Sequence, residues 1–234
     1  MAILTRTETV TVPDGSFTAH VALPPSGSGP GILLLQEIFG VNDYLTAVAD
    51  RLAELGYVVL APDLFWRFAP DSPLEQTDEG IGEAFSRVAT FDFEVGVVDS
   101  VAALEHLRGL HEVTSDVGVV GFCLGGSLAF AVAAATDPAV AVSYYGSGVA
   151  DALGAADAVA CPLIFHFGTE DPFIPNEQVD AIEAAFASRD EVVLHRYAAG
   201  HAFDNHLAPQ FSDPPAAAEA WGRTTAFLAE HLPV

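Results

Sequence analysis

Residues 117–127 read Val-Gly-Val-Val-Gly-Phe-Cys-Leu-Gly-Gly-Ser, and this stretch decides the fold. An apolar, β-branched run ends at Gly121, a cysteine follows at position 123, and an alanine-rich segment begins directly after the next two glycines. The pattern predicts a strand, a sharp turn and a helix, with the Cys123 thiol at the tip of the turn. Small flanking residues are needed because larger side chains would collide as the turn tightens. We expect Cys123 to be a nucleophile and the N–H of Leu124 to face a developing oxyanion.

Other interpretations of this stretch are open. Free cysteine is among the most buried residue types, so Cys123 could be a core residue in a glycine-rich turn. Residues 121–127 also read Gly-x-x-x-x-Gly-Ser, but a phosphate-binding loop needs a lysine, and the 8 basic residues of this chain are all arginine. No charge falls between Asp116 and Asp137, yet the interrupting glycines and the change of periodicity favour a strand plus a helix over a membrane span.

The composition bounds the kind of protein. With 234 residues, of which 51% are hydrophobic, the chain can bury one sizeable core, and we expect a single domain over residues 1–234. The net charge of −24 repels phosphate backbones and disfavours anionic membranes, so we expect neither a nucleic-acid nor a membrane partner. The N-terminus lacks a signal-peptide pattern, and only Cys123 and Cys161 are cysteines, which fits a reducing cytoplasm without a structural disulfide.

Strand and helix patterns alternate along the chain. Two alternating runs around Pro13-Asp14-Gly15 predict a hairpin, and apolar strands and helical segments then take turns. This order predicts an α/β fold, with a mostly parallel central sheet, an antiparallel N-terminal edge and helices on both faces. The predicted strands are 8–12, 16–23, 31–37, 57–61, 117–122, 139–145, 162–167 and 191–197. The first predicted helix begins at Asn42 or Asp43. The other predicted helices cover 83–110 (with a possible break at 91–96), 124–135, 179–187 and 216–232.

A catalytic thiol needs a base, because a free thiol is mostly protonated at neutral pH. In elbow sites the chain order is nucleophile, acid, histidine, on loops beyond the strand ends. Asp171 and His201 follow the last two predicted strands and supply that order. Asp171 could equally be a turn-forming residue, and Glu170 is its neighbouring rival.

Other histidines compete with His201 for the role of base. His195 lies inside a strand pattern, and His206 lies deeper in the loop, so His201 is preferred. His201, Asp204 and His206 together could suggest a metal, but their spacing matches no established ligand motif, and we expect none.

Two further segments bear on the site. Glu37 ends an apolar strand; it is either a strand-end carboxylate that reaches water or a second carboxylate that affects ionisation of the thiol. The loop after it supplies the second oxyanion amide in sites of this type, which makes the N–H of Ile38 the candidate. Residues 64–80, with Phe65, Trp66 and Phe68, form either a lid over a pocket or packed surface.

Together these segments resemble the dienelactone hydrolase family, cysteine-dependent members of the α/β-hydrolase fold. The resemblance implies a triad of Cys123, Asp171 and His201, oxyanion donors at Ile38 and Leu124, and no metal or organic cofactor. The matching pieces, in order, are Gln36-Glu37-Ile38-Phe39-Gly40-Val41-Asn42, Ala61-Pro62-Asp63-Leu64, Gly121-Phe122-Cys123-Leu124-Gly125-Gly126, Gly168-Thr169-Glu170-Asp171 with Pro175, and Gly200-His201-Ala202-Phe203. The resemblance also implies that Glu37 pairs with the resting cysteine and helps to deprotonate it as substrate enters.

The chain departs from the family where a substrate carboxylate would bind. Family members that cleave dienelactone hold it with two arginines, and here Asn205 stands at one position while residues 79–82 contain no arginine at the other. Arg67 or Arg87 are possible substitutes. We expect a hydrolase of a small ester or lactone, acting through an acyl-thioester as a monomer or small homo-oligomer. The candidate pocket residues are Phe39, Trp66, Tyr145, Phe173 and Asn205.

Two alternatives remain at this point. The first is a catalytically silent binding module on the same fold, because a fold does not by itself give a function. The second is a thioesterase or aryl esterase whose substrate is not a dienelactone.

Overall fold

The computed structural model describes residues 3–234, where strands and helices alternate after an opening hairpin. The strands are β1 (Leu4–Val12), β2 (Gly15–Leu23), β3 (Gly29–Leu35), β4 (Val58–Pro62), β5 (Val113–Phe122), β6 (Ala141–Tyr144), β7 (Leu163–Gly168) and β8 (Val192–Tyr197). The helices are α1 (Asp43–Glu54), α2 (Asp78–Val88), α3 (Phe93–Arg108), α4 (Leu124–Ala135), α5 (Asn176–Ala185) and α6 (Pro214–His231), and a 3₁₀ helix covers Ala150–Ala158.

All of these strands belong to one 8-stranded sheet in the order β1-β2-β4-β3-β5-β6-β7-β8. β2 pairs antiparallel with both β1 and β4, and every pairing from β4 to β8 is parallel. The expected α/β architecture, with a mostly parallel sheet and an antiparallel N-terminal edge, is therefore confirmed.

The central strands explain where the site can form. Every residue of β3 and β4 is buried, as expected of parallel strands covered by helices on both faces. In a parallel sheet the carboxyl ends of neighbouring strands meet at one edge. The loops that carry Glu37, Cys123, Tyr145, Asp171 and His201 follow β3, β5, β6, β7 and β8 and therefore emerge at the same edge.

Several boundaries differ from the prediction for local reasons. The helix predicted over 83–110 is two helices. Thr77 accepts a hydrogen bond from Gly80 N and starts α2 early, while Asp92 accepts one from Val95 N and starts α3 after the break. β6 ends before Tyr145, whose φ of 39° is incompatible with a strand.

The aromatic loop after β4 packs against the body of the protein. Phe65 contacts the rings of Phe68 and Phe91, and Trp66 stacks on Phe17 of the hairpin. Among the helices of residues 3–234, none combines the length and apolarity needed to cross a bilayer.

Candidate active site

Cys123 occupies a strained turn between β5 and α4. Its φ is 55° and its ψ is −114°, a conformation that residues other than glycine rarely adopt. The surrounding backbone holds it there, because Cys123 N donates to Tyr144 O at 3.0 Å and Cys123 O accepts from Gly126 N at 2.9 Å. The turn predicted from the sequence is therefore present, with the thiol at its tip.

The glycines around the turn are required by contact distances. A Cβ on Gly121 would lie 1.9 Å from Gly125 O, and one on Gly125 would lie 2.2 Å from Leu35 O. A Cβ on Gly126 would lie 2.4 Å from Tyr144 O. Since each obstacle is backbone, it cannot rotate away. The strand and the helix approach this closely only without side chains.

Cys123, His201 and Asp171 form a continuous hydrogen-bonded chain. Cys123 Sγ lies 3.1 Å from His201 Nε2, and His201 Nδ1 lies 2.7 Å from Asp171 Oδ2. The other oxygen of Asp171 accepts from Phe173 N at 2.8 Å and Ile174 N at 3.2 Å. Asp171 therefore serves both interpretations of the sequence: one oxygen builds the turn and the other orients the imidazole.

The neighbours of His201 favour its charged form. Burial lowers the pKa of His201, but the charge of the Cys123 thiolate and the hydrogen bonds to Asp171 and Cys123 outweigh it and raise that pKa to about 10. The sulfur thus faces a ring that holds its proton, which is the environment of a reactive thiolate.

Glu37 lies at the same edge, but its partners are not the thiol. Burial raises the pKa of Glu37 to about 7, although the hydrogen bond from Asn205 Nδ2, at 2.7 Å, acts to lower it. Tyr145 OH lies 3.5 Å from the other oxygen. In the described part of the chain, no hydrogen bond joins Glu37 to Cys123, whose sulfur is engaged by His201 instead.

The candidate oxyanion amides come from two segments: Leu124 directly follows Cys123, and Ile38 lies in the loop after β3. Within residues 3–234, neither Ile38 N nor Leu124 N donates to another backbone acceptor outside the regular elements. Gly125 N donates to Gln36 O at 2.8 Å, which ties the end of β3 to the first turn of α4. This bond links the segments that carry Ile38 and Leu124, and Ile38 lines the same cavity as Cys123.

A cavity of about 180 Å³ opens beside the sulfur. Its walls are largely apolar, and helix α2 supplies one side of it. The lining residues are Glu37, Ile38, Phe39, Ile81, Phe85, Val88, Cys123, Ser147, Phe173, His201, Ala202 and Phe211.

The chain resembles known proteins over nearly its whole length. The family model described as "Dienelactone hydrolase family" matches residues 17–232. A carboxymethylenebutenolidase of Pseudomonas sp. (strain P51) is 38% identical over 94% of this chain and 92% of its own, and carboxymethylenebutenolidase 1 of Cupriavidus pinatubonensis is 35% identical over 92% of each. The chain belongs to the dienelactone hydrolase family. It is accordingly a dienelactone hydrolase-like hydrolase of ester or lactone bonds.

A solved structure supports the fold independently. The crystal structure of a putative dienelactone hydrolase from Klebsiella pneumoniae superposes with a TM-score of 0.84 at 23% identity, covering 98% of this chain and 100% of that one. The α/β-hydrolase fold expected from the resemblance is thus confirmed for this family member.

Of the five predicted pocket residues, two line the cavity of this dienelactone hydrolase family member and three do not. Phe39 and Phe173 line the cavity. Tyr145 and Asn205 do not line it; they are buried and contact Glu37, which does.

Trp66, also predicted for the pocket, does not line this cavity. Its indole N–H donates to Asp99 at 2.9 Å and its ring lies on Phe17. No residue of 64–80 lines the cavity, so of the two interpretations of that loop, packed surface fits and a lid over this cavity does not.

The wall that the sequence analysis missed is α2. Ile81, Phe85 and Val88 face the cavity at i, i+4 and i+7, the spacing of one helix face. The sequence contains that periodicity, but the predicted loop runs to Gly80 and the predicted helix begins at 83, so the prediction divides this face between two segments.

The rival residues have other contacts. Glu170 is exposed, the ring of His195 stacks on buried His166, and His206 lies against Tyr44. Asp204 accepts from Tyr44 OH at 2.8 Å, and burial raises its pKa to about 6. Among residues 3–234 no group of three or more acidic, histidine or cysteine side chains is arranged to hold a metal ion.

The arginines of this chain are committed elsewhere. Arg67 pairs with Asp14 and Asp99, and Arg87 pairs with Glu83. Neither arginine lines the cavity, so neither stands there in place of the arginines expected from the family resemblance. The remaining arginines also form ion pairs: Arg6, Arg51, Arg108, Arg189, Arg196 and Arg223.

Proposed function

We propose that this protein hydrolyses small uncharged esters or lactones through a Cys123–His201–Asp171 triad and an acyl-thioester on Cys123. The observation that carries the proposal is the chain of contacts Sγ–Nε2 at 3.1 Å and Nδ1–Oδ2 at 2.7 Å, anchored at a strained turn beside an apolar cavity. A merely structural cysteine would not require that strain.

In the first half-reaction the Cys123 thiolate attacks the substrate carbonyl and forms a C–S bond. The amides of Ile38 and Leu124 stabilise the oxyanion, and one such donor is worth about 2.7–4 kcal/mol in comparable sites. The C–O bond then breaks, and protonated His201 gives its Nε2 proton to the leaving alkoxide. The elevated pKa of His201, about 10, supports this role because the ring carries a proton when the thiolate attacks.

In the second half-reaction neutral His201 takes a proton from water, and the resulting hydroxide attacks the thioester carbonyl. The C–S bond breaks, the carboxylic acid leaves, and the thiolate faces a protonated ring again. Asp171 keeps Nδ1 protonated throughout, so Nε2 is the nitrogen that exchanges protons.

The charges around the cavity argue for an uncharged substrate. The cavity wall contains no arginine, and the chain carries a net charge of −24. A substrate carboxylate would find no arginine beside Glu37, because the one cation in the wall, His201, is already paired with Cys123 and Asp171. The net negative charge of the chain adds an unfavourable field. We extend to this chain the lactone or ester chemistry of its relatives, but not a charged substrate.

Turnover of p-nitrophenyl acetate tests the nucleophile. Cys123→Ala should lose on the order of a thousandfold or more in kcat/KM, whereas Cys161→Ala, which removes the other free cysteine, should retain activity. Intact-mass measurement after rapid quenching should find one acetyl group, and peptide mass analysis should place it on Cys123. Turnover that survives Cys123→Ala, or acetyl on another residue, would refute the triad.

A matched pair of esters tests the substrate class. Phenyl acetate and 4-carboxyphenyl acetate differ by one carboxylate, and we expect kcat/KM to be about tenfold or more higher for the uncharged ester. Equal rates, or a preference for the charged ester, would overturn the argument from the absent arginines while leaving the triad intact.

A further inference from the structure

The mouth of the catalytic cavity carries an aromatic pair that the proposed chemistry does not use. Phe85 and Phe173 are each 50% exposed, and their ring centroids lie 6.1 Å apart. Both also line the cavity. Paired aromatic side chains left half in water at the entrance of a site mark a binding surface more often than isolated apolar residues do.

The two rings are presented by anchored backbone. Phe173 N donates to Asp171 Oδ1 at 2.8 Å, so this ring is set by the same carboxylate that orients His201. Its ring meets the imidazole of His201 edge-on, at 5.1 Å and 80°. Phe85 lies on α2, a helix of 11 residues whose N-terminus is capped by Thr77.

Helix α2 presents an apolar face that the protein covers only in part. Of its residues only Gly80 and Ala84 are buried. Ile81, Phe85 and Val88 turn toward the cavity instead of the core. A face of this kind gains free energy only if an apolar group covers it.

The size of the cavity limits how much of a substrate can lie inside it. At about 180 Å³ the cavity is smaller than the roughly 300–1,000 Å³ of most ligand sites. It accommodates the reacting carbonyl and a short acyl group, and the remainder of a larger substrate has to extend to the mouth. The apolar entrance is therefore continuous with the site of attack.

We propose that the Phe85–Phe173 pair binds an aromatic ring on the alcohol side of the substrate, which makes Phe85 and Phe173 specificity-determining residues for aryl-bearing esters. Both rings can contact that ring at its faces or edges, the geometries that aromatic groups prefer. This inference rests on the proposed function, because it places the ring relative to a carbonyl that Cys123 attacks.

Benzyl acetate and methyl acetate separate this inference from the proposed function. The two esters form the same acetyl-enzyme and release primary alkoxides of similar basicity, but only benzyl acetate carries a ring. We expect Phe85→Ala to lower kcat/KM for benzyl acetate about three- to tenfold more than for methyl acetate, with the difference arising in KM. Phe85→Leu should restore part of the loss, because it restores apolar area.

Phe173→Ala should show the same selective loss, with an unchanged pH profile if His201 keeps its orientation. The control is Phe68→Ala, because Phe68 is 40% exposed and also belongs to an aromatic pair but does not line the cavity. Equal losses for both esters, or none for benzyl acetate, would overturn the inference. Turnover that does not depend on Cys123 would instead overturn the proposed function.

Discussion

Asn205 donates a hydrogen bond of 2.7 Å to Glu37, and both side chains are almost fully buried at the edge where Cys123 lies. An amide can stabilise a carboxylate without neutralising it, whereas an arginine at this position would add a positive charge. The consequence is that Glu37 remains close to its ionisation point near neutral pH, with a pKa of about 7.

Removing this donor should make Glu37 harder to ionise. In Asn205→Ala the hydrogen bond that lowers the pKa of Glu37 is lost, while the burial that raises it remains. Carboxyl ¹³C NMR titration of labelled protein, with the Glu37 signal assigned by its absence in Glu37→Gln, should give a midpoint near 7 in the wild type and a higher one in the variant. Asn176→Ala removes an exposed amide donor and is the control. A midpoint near the ordinary glutamate value of about 4.3 in both proteins would contradict the prediction.

Replacing Glu37 should stabilise the protein at alkaline pH. The folded pKa of about 7 exceeds the ordinary 4.5, so the stability linked to protonated Glu37 is fully present below 4.5 and is lost as the pH rises through 7. Glu37→Gln removes that loss, and its free energy of unfolding should exceed the wild-type value by about 1–3 kcal/mol at pH 8 but by much less at about pH 5. Urea unfolding at both pH values measures it. Glu170→Gln, which changes an exposed glutamate, is the control and should leave the pH dependence of the unfolding free energy unchanged. An equal gain in Glu37→Gln at both pH values would refute the linkage.

The hydrogen-bonded chain of Cys123, His201 and Asp171 is predictable because the signals for each of its parts are local. The glycines around Cys123 are spaced for a tight turn, and Asp171 and His201 follow successive strands in the order that elbow sites use. A parallel sheet then brings the strand ends together, so three positions distant in sequence meet without any further information.

The contacts that the sequence did not reveal are those between distant segments. Asn205 and Glu37 are 168 residues apart, and Trp66 and Asp99 are 33 apart. An apolar or amide side chain in a loop fits many neighbours equally well, and only packing selects one. Trp66 was placed in the pocket because it is aromatic, but its N–H needs an acceptor and Asp99 supplies it.

Adding one methyl group to the elbow should prevent folding of the site. Gly125→Ala would place a Cβ 2.2 Å from Leu35 O, so we expect a loss of several kcal/mol, of the kind only backbone clashes or strain produce, together with loss of activity. Gly222→Ala is the matched control: it lies inside α6, where nothing lies within 4 Å of the new Cβ. That change should stabilise the protein by up to about 1 kcal/mol. Thermal unfolding that ranks the two variants in the opposite order would contradict this explanation of the turn.

Truncating Trp66 should lower stability without changing substrate binding. Trp66→Ala removes the ring from Phe17 and leaves buried Asp99 without one of its donors, which should cost about 2–4 kcal/mol. Because Trp66 does not line the cavity, KM for phenyl acetate should stay within about twofold of the wild-type value. A twofold change in KM is a smaller free-energy difference than the roughly 1.4 kcal/mol of a tenfold change. Phe39→Ala, which does alter the cavity wall, is the positive control. A raised KM in Trp66→Ala at a temperature where the variant is folded would return Trp66 to the pocket.

Removing the imidazole should slow alkylation of the thiol at acidic pH. The contacts of His201 with Cys123 and Asp171 raise the pKa of the imidazole to about 10, and a protonated imidazole beside a sulfur favours the thiolate form in general. In His201→Gln the sulfur loses its neighbouring cation, and an ordinary thiol, with a pKa of about 8.5, is scarcely ionised at about pH 6. We expect iodoacetamide to alkylate the variant at least about tenfold more slowly at that pH.

The measurement is best made in a Cys161→Ala background, so that only Cys123 reports. His195→Gln is the matched control, because it removes a histidine whose ring stacks on His166 and does not touch the sulfur. Alkylation at the wild-type rate in His201→Gln would show that the sulfur does not depend on the imidazole 3.1 Å away. Restored alkylation at alkaline pH in the same variant is expected, because the thiol then ionises without help, and it excludes blocked access as the reason for a slow reaction at low pH.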